Sequence, residues 1–353
     1  MSYWNDRNFG MIAAQGNGSF GLTQSGEVLT NTALAVSGWA NIVQVAGINT
    51  HVLGLTSDGV VLTAGSTNYM PTSGLWGGVV QIAVGLYHSL GVKSDGTVFA
   101  KSQFTQEITG VTGWTDIAQV AAGNRYSLGL KSDGTVIGVA ATPSYIDGID
   151  TWSGIIQISG GYDHVVGLRA DGTVVGAGTN SQGQITGLDA WTDVVQVAAG
   201  RNYTAALRAD GSVVCAGNFN SVGPVAGSSF SEALQIAAGD NHILGLLANG
   251  QVVAEGNNSS SQVSIPNTWT DISTGQYYDI NGITSIDGTP ISMEVRAHEA
   301  NAGGLLFKTQ SDANGEYTLR LPRWYTAYVM AIPPAGHRPM CHGPITKPDD
   351  IQV

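Results

Sequence analysis

The phrase Trp114-Thr-Asp-Ile-Ala-Gln-Val-Ala-Ala-Gly-Asn-Arg-Tyr-Ser-Leu-Gly-Leu-Lys-Ser-Asp-Gly-Thr-Val136 recurs with small changes until about residue 272. A leucine-type position falls at Leu22, Leu55, Val92, Leu130, Leu168, Leu207 and Leu246, and an aromatic one at Trp39, Trp76, Trp114, Trp152, Trp191, Phe230 and Trp269, so both sets count seven copies spaced 33 to 39 residues apart. A chain that repeats one short unit at a fixed spacing stacks copies of one supersecondary element. Within a copy, segments such as 117–122 and 127–131 place small and apolar residues at strand period, and no stretch is long enough for a helix face. Asp58-Gly59, Asp95-Gly96, Asp133-Gly134, Asp171-Gly172, Asp210-Gly211 and Asn249-Gly250 sit between such runs, with Ser25-Gly26 in the first copy. These pairs predict two-residue hairpin loops of the primed type, with positive φ at both central residues.

A lone sheet of about forty residues buries too little apolar area to stand alone, so neighbouring sheets must cover one another. Seven of them arranged radially make a propeller, and the expected fold class is all-β: a seven-bladed β-propeller plus a small C-terminal β-sandwich. Gly54, Gly91, Gly129, Gly167, Ala206 and Gly245 are expected to let strands crowd near the axis, and the tryptophans to fill the space between blades. Trp269-Thr-Asp-Ile272 has no complete copy after it, and the first copy has only the imperfect Trp4-Asn-Asp6 before it. The two ends of the repeat region should therefore meet in one blade.

These residues resemble the repeat of the regulator of chromosome condensation family, most clearly in the Gly-x-x-His-x-x-Gly-Leu-x-x-Asp-Gly-x-Val phrase at Gly161 to Val174. The resemblance covers about 260 residues and implies a seven-bladed propeller. It says little about function, because one fold hosts many. The family includes a eukaryotic Ran exchange factor and a secreted bacterial β-lactamase-inhibitory protein.

Near residue 279 the repeat stops, and seven of the eleven prolines lie at or after Pro290. Segments 291–297, 305–311, 316–321 and 327–332 read as strands, with Asn314-Gly315 as a hairpin signal. The phrases Gly288-Thr-Pro-Ile291 and Thr309-Gln-Ser-Asp-Ala-Asn-Gly-Glu-Tyr317 resemble the prealbumin-like, or carboxypeptidase regulatory-like, sandwich, an add-on module of many extracellular and bacteriophage tail proteins. The expected domains are a propeller over 1–278, with an arm at 1–11, and a sandwich with a Pro-rich tail over 279–353.

Charged residues make up 11% of the chain and the net charge is −12. With no Lys/Arg cluster to displace counterions, nucleic acid is not an expected partner, and the chromatin role of eukaryotic family members is disfavoured. No apolar run reaches membrane-spanning length, and the first residues show no basic segment followed by an apolar core, so neither membrane insertion nor a secretory signal is expected. Two cysteines, Cys215 and Cys341, form no disulfide framework.

His51, His88, His164 and His242 share one repeat position, which Tyr126 and Tyr203 fill in two other copies. A ligand role would not tolerate that exchange, whereas a buried polar tip bonding to the next blade would. Gly16-Asn-Gly-Ser-Phe-Gly21 matches a dinucleotide-binding pattern but lies inside a β-repeat without the helix that would hold a pyrophosphate. His337, Cys341 and His342 sit too close in sequence, without a partner pair, to make a convincing metal set. The recurring acidic residues are turn aspartates, so neither catalysis nor a cofactor is expected.

Binding is expected instead at the stretches after each third strand. There Tyr69, Phe104, Tyr145 and Phe219 are accompanied by Asn180, Gln182, Asn218, Asn257 and Asn258. Aromatics flanked by small amides suit sugars or protein partners. Tyr87, Arg125, Tyr162 and Arg201 are assigned to the opposite face, and the sequence leaves open which of the two faces binds. The expected function is a non-enzymatic bacteriophage virion protein, a tail or tail-tip component whose partners are other virion proteins or a host surface receptor of protein or glycan, with self-association in the particle as a further option. The alternative is a bacterial protein-binding propeller of the inhibitor type.

Overall fold

The computed structural model describes residues 11–218 apart from 24, then 230, 233–247, 249–259, 261–264, 269 and 272, and beyond these residues 313 and 314 with the strands of the C-terminal segment. Among the described residues the repeats make seven three-stranded antiparallel sheets. The first three blades are β1 (Ile12–Gln15), β2 (Gly18–Leu22) and β3 (Val28–Thr30); β4 (Ile42–Ile48), β5 (His51–Thr56) and β6 (Val61–Gly65); and β7 (Val79–Val84), β8 (His88–Lys93) and β9 (Val98–Ser102). The fourth and fifth are β10 (Ile117–Ala122), β11 (Tyr126–Lys131) and β12 (Val136–Ala140), then β13 (Ile155–Gly160), β14 (His164–Arg169) and β15 (Val174–Gly178). The last two are β16 (Val194–Ala199), β17 (Tyr203–Arg208) and β18 (Val213–Gly217), then β19 (Ala233–Ala238), β20 (His242–Leu247) and β21 (Val252–Gly256). The first strand of each sheet lies against the first strand of the next, and β1 lies against β19, which closes the ring. These strands line a central channel of about 190 Å³.

The C-terminal segment is also β. Strands β22 (Tyr277–Ile283) and β27 (Glu316–Pro322) pair antiparallel, as do the short β23 (Ser285–Ile286) and β24 (Thr289–Pro290). A four-stranded sheet runs in the order β26 (Leu305–Gln310), β25 (Glu294–Glu299), β28 (Ala327–Ile332) and β29 (Met340–Ile345). The side chains of His337, Cys341 and His342 lie outside the described residues.

Closure follows the register expected from the repeats. Ile117 pairs with Lys131, Ile155 with Arg169 and Val194 with Arg208; in the first blade the equivalent pair is Ile272 with Thr23. The innermost strand of that blade is thus split, its beginning supplied by residue 272 and its remainder by β1. Trp269 covers Gly21 from the same direction: a Cβ on Gly21 would sit 2.6 Å from Ile272 and 3.2 Å from the Trp269 ring.

This packing corrects the reason for the recurring small residues. They do not crowd the axis; they lie under the aromatic ring of their own blade. A Cβ on Gly54 would meet Trp39 at 2.7 Å, one on Gly129 would meet Trp114 at 2.9 Å, and one on Gly245 would meet Phe230 at 2.5 Å. The rings are thereby sunk into the sheet, and each contributes about 3 kcal/mol through burial.

The hairpins also differ from the primed turns expected. Only the glycine of each Asp-Gly pair has positive φ, for example 81° at Gly134, and none of the preceding aspartates does. Lys131 N donates to Thr135 O and Gly134 N to Lys131 O, which makes a three-residue loop with a glycine bulge. The aspartate instead fastens the loop, since Asp133 Oδ1 accepts from Thr135 N at 2.9 Å and Thr135 Oγ1 at 2.6 Å. The same threonine bonds at Asp95, Asp133 and Asp171 hold these carboxyls below their ordinary pKa.

A ring of glutamines that sequence reasoning overlooked ties each blade to the next. Gln119 Oε1 accepts from Ile158 N at 2.9 Å while its Nε2 donates to Ile158 O at 3.1 Å. Gln44 makes the same pair of bonds to Ile82, Gln81 to Val120 and Gln196 to Ile236. Gln157 accepts from Val197 N, and Gln235 from Ile12 N. In the first blade the position is held by Met11, whose carbonyl accepts from Leu22 N but whose side chain has no amide. The seam between the first and second blades therefore lacks this clamp.

Candidate interaction face

Adjacent strands within a blade are antiparallel, so the end of the third strand lies beside the turn that leads into the second. Ser66 N bonds to Thr50 O, Gln103 N to Tyr87 O, Ala141 N to Arg125 O, Thr179 N to Asp163 O, Asn218 N to Asn202 O and Asn257 N to Asn241 O. The variable stretches and the turns before the His/Tyr position thus share one face, here termed the upper face. Tyr87, Arg125, Tyr162 and Arg201 do not lie opposite the variable stretches, as the sequence reading had them. The Asp-Gly hairpins occupy the lower face, where Gly96 O and Gly134 O accept from Ile117 N and Ile155 N of the following blades.

On the upper face the aromatics of neighbouring blades form a continuous arc. Tyr69 lies 5.2 Å from His51 and 5.8 Å from Tyr87, and Tyr87 lies 5.4 Å from Phe104 in an edge contact. The Arg125 guanidinium sits 4.8 Å above the Phe104 ring. Further round, Tyr145 makes an edge contact with Tyr126 at 6.4 Å. Arg201 covers Tyr162 at 4.2 Å and pairs with Asp240 at 3.3 Å. Burial pushes the Asp240 carboxyl up, and the arginine pulls it back down. Tyr69, Tyr87, Phe104 and Tyr145 are all half-buried.

The polar candidates serve mainly their own loops. Asn180 Oδ1 accepts from Ile185 N and its Nδ2 donates to Thr186 Oγ1; Asn258 repeats this with Val263 N and Ser264 Oγ. Asn257 Oδ1 accepts from Ser259 N and from Gln262 Nε2. Gln182 and Asn218 are exposed and bond to each other across two blades at 3.2 Å. Phe219 lies outside the described residues.

The His/Tyr position is structural, as its exchange pattern implied, and each side chain reaches into the next blade. Tyr126 Oη lies 2.8 Å from Gly161 O and 2.7 Å from His164 O, and Tyr203 Oη donates to His242 O at 2.5 Å. The shorter histidines meet a hydroxyl: His164 Nε2 lies 3.1 Å from Thr204 Oγ1, and His242 Nε2 lies 3.0 Å from Ser19 Oγ. The partner is legible between copies. His164 and His242 are answered one blade on by Thr204 and Ser19, and each tyrosine by Val165 or Ile243. Ser89 and Ser127 hold the same place after His51 and His88, whose Nε2 atoms are buried without a hydrogen-bond partner among the described residues. A tyrosine long enough to reach backbone carbonyls leaves no role for a hydroxyl beside it. Burial lowers the histidine pKa values to about 4 at His51, His164 and His242 and to about 3 at His88.

Segments 79–101, 155–184, 194–223 and 234–262 match the sequence profile of the regulator of chromosome condensation (RCC1) repeat. The ring is therefore a β-propeller in which four stretches match the RCC1 repeat. Among solved structures it is similar to human WBSCR16, at 16% identity over 68% of this chain and 86% of that one, with a TM-score of 0.54. The ectodomain of the Arabidopsis thaliana receptor kinase ACR4 is similar at 19% identity, with 69% and 93% covered and a TM-score of 0.53. That of the Physcomitrella patens receptor kinase CR4 is similar at 16% identity, with 70% and 72% covered and a TM-score of 0.53. These likenesses concern the fold. No curated protein matches the sequence.

Proposed function

We propose that the chain is a non-enzymatic interaction propeller whose upper face docks a macromolecular partner, and that it does so as a tail or tail-tip component of a bacteriophage particle. The observation that carries the docking role is the Tyr69, Tyr87, Phe104 and Arg125 arc. Tyrosine and arginine dominate protein hot spots because they bury much area and offer directional polar tips at low ordering cost. The frame beneath suits that work, since amide and His/Tyr bonds between blades hold the shelf in place. The virion setting is supported by the resemblance of 279–353 to a sandwich common on phage tails and by the low share of charged residues. A rigid propeller without a particle, gripping one soluble protein, is the second reading, favoured by the same arc.

Immunogold electron microscopy of purified particles, with antibody raised against this chain, tests the setting. Label confined to the tail is expected. Particles that lack the chain would remove the virion reading and leave the soluble docking module.

A further inference from the structure

We propose that Arg125 is the docking point for a single carboxylate, an Asp or Glu side chain on a protein partner. The proposal deepens the reading that the upper face is the working face and rests on it. Two arginines on this face lie on aromatic rings, yet they are completed differently. Arg201, on Tyr162, is neutralised by Asp240 at 3.3 Å. The guanidinium of Arg125, on Phe104, has neither hydrogen-bonding nor ion-pair partners among the described residues. Its Nε is buried without an acceptor, while its Nη atoms are not enclosed and the residue as a whole is partly exposed.

The backbone makes the same distinction. Among the described residues the non-glycine positions with positive φ are Asn41, Asp116, Asp193, Ser261 and Arg125, the last at 67°. The other four are small polar residues of the kind that tolerate this region. A long side chain there costs roughly 1–2 kcal/mol. Strain of this kind is retained where it aims a group, and the guanidinium of this strained residue lies 4.8 Å over Phe104. A planar fork held on an aromatic shelf with its outer edge free is arranged for a carboxylate, which it can bind through two parallel N–H bonds.

Glu107 opposes this reading and makes it testable. It is fully buried; its Oε1 accepts from Ser102 Oγ at 2.8 Å and its Oε2 has no partner among the described residues. Its repeat counterparts are the neutral Gln184 and Gln262, and all three offer their backbone carbonyl to the next blade's hydroxyl. Ser102 Oγ accepts from Phe104 N and donates to Glu107 Oε1, so the acidic side chain is linked through one hydroxyl to the residue that carries Arg125, and it should disfavour an incoming carboxylate and favour an incoming cation. No ligand touches Glu107 where it lies, whereas Arg125 is half-exposed, so the arginine defines the site. A protein acid fits better than an acidic sugar. Tyr69 and Tyr87 stand at 64° and Tyr87 and Phe104 at 87°, so successive rings are not coplanar and do not make one flat platform on which a pyranose could stack. With a net charge of −12 the chain would repel a polyanion, which points to an isolated carboxylate in a neutral surface.

The test follows the Nε–Hε signal of Arg125, assigned by its loss in R125K, in the full chain labelled with ¹⁵N-arginine. The probes are N-acetylglutamate α-amide, N-acetylglutamine α-amide and glucuronate, each added to about 50 mM, since an isolated contact binds in the millimolar range. The glutamate probe should shift the signal saturably and the glutamine probe should not. In E107Q, which copies the counterpart glutamines, the glutamate probe should bind about threefold tighter. Silence towards the glutamate probe, an equal response to glutamine, or weaker binding in E107Q would overturn the site. Tighter binding of glucuronate than of the glutamate probe would overturn the protein partner. A chain missing from particles would sink the virion reading and leave this titration untouched, whereas a silent titration with tail-labelled particles would sink the carboxylate site alone.

Discussion

Lowering the pH from 7 to 4 is expected to unfold the propeller, with the four buried histidines taking up between three and four protons per molecule on unfolding near pH 5. His51, His88, His164 and His242 are wholly buried, and desolvation holds their pKa at about 4, 3, 4 and 4 against an ordinary value of 6.5. The unfolded chain therefore binds more protons than the folded one throughout this window. Stability is complete above about pH 6.5, falls as pH drops, and the loss saturates only below the folded pKa values. Linkage puts the cost at about 2 kcal/mol for each histidine at pH 5. Asp163, Asp240 and Glu255 act in the opposite sense, because burial raises their pKa and the fold holds their protons more tightly. Urea titrations at several pH values read the proton uptake directly. The double variant His164→Tyr with Thr204→Val, which copies the Tyr126 and Val165 pairing, should lower the uptake by about one proton while keeping the fold at pH 7. An unchanged uptake would mean that His164 does not titrate as described.

The second large effect is expected at the glutamine ring. Gln119→Ala strips Ile158 of both an acceptor for its N–H and a donor for its carbonyl, and each buried group left unpaired costs about 1–3 kcal/mol, so a loss of about 3 kcal/mol is expected. The converse holds at Met11, the position without an amide: Met11→Gln should add about 1 kcal/mol by completing the first-to-second seam. Thermal unfolding of both variants measures this. A neutral Gln119→Ala would show that the amide pairs hold little of the ring together.

The fold was legible because the chain states it seven times. Trp114, Leu130 and the Asp133-Gly134 loop recur at one spacing, and the closing Trp269 and Ile272 betray themselves as a copy without a successor. The turn geometry was not legible, because Asp-Gly suits both a primed turn and a glycine bulge, and only the φ values separate them. The glutamine ring and the histidine–hydroxyl code were present in the sequence but become visible only when a residue in one copy is read against the next copy. The misplacement of Tyr87 and Arg125 came from not following the strand direction: in an antiparallel blade the residues after the third strand must neighbour those before the second. The Arg201–Asp240 pair and the open Arg125 carry no local signature, because tertiary packing decides them. Of the nine residues first marked for binding, Tyr69, Phe104 and Tyr145 lie along the upper-face aromatic arcs, while Asn180, Asn257 and Asn258 fasten their own loops.

The proposal that the upper face docks the partner is tested most directly by a photo-cross-linking residue placed on each side of the ring, in particles if the chain is found there and otherwise in the soluble protein with its partner. With benzoylphenylalanine at Tyr87 on the upper face, illumination should join the chain to another protein. With the same group at Asp133, in a lower-face hairpin, no such product should form. Cross-links from position 133 and none from position 87 would contradict the upper face as the seat of recognition.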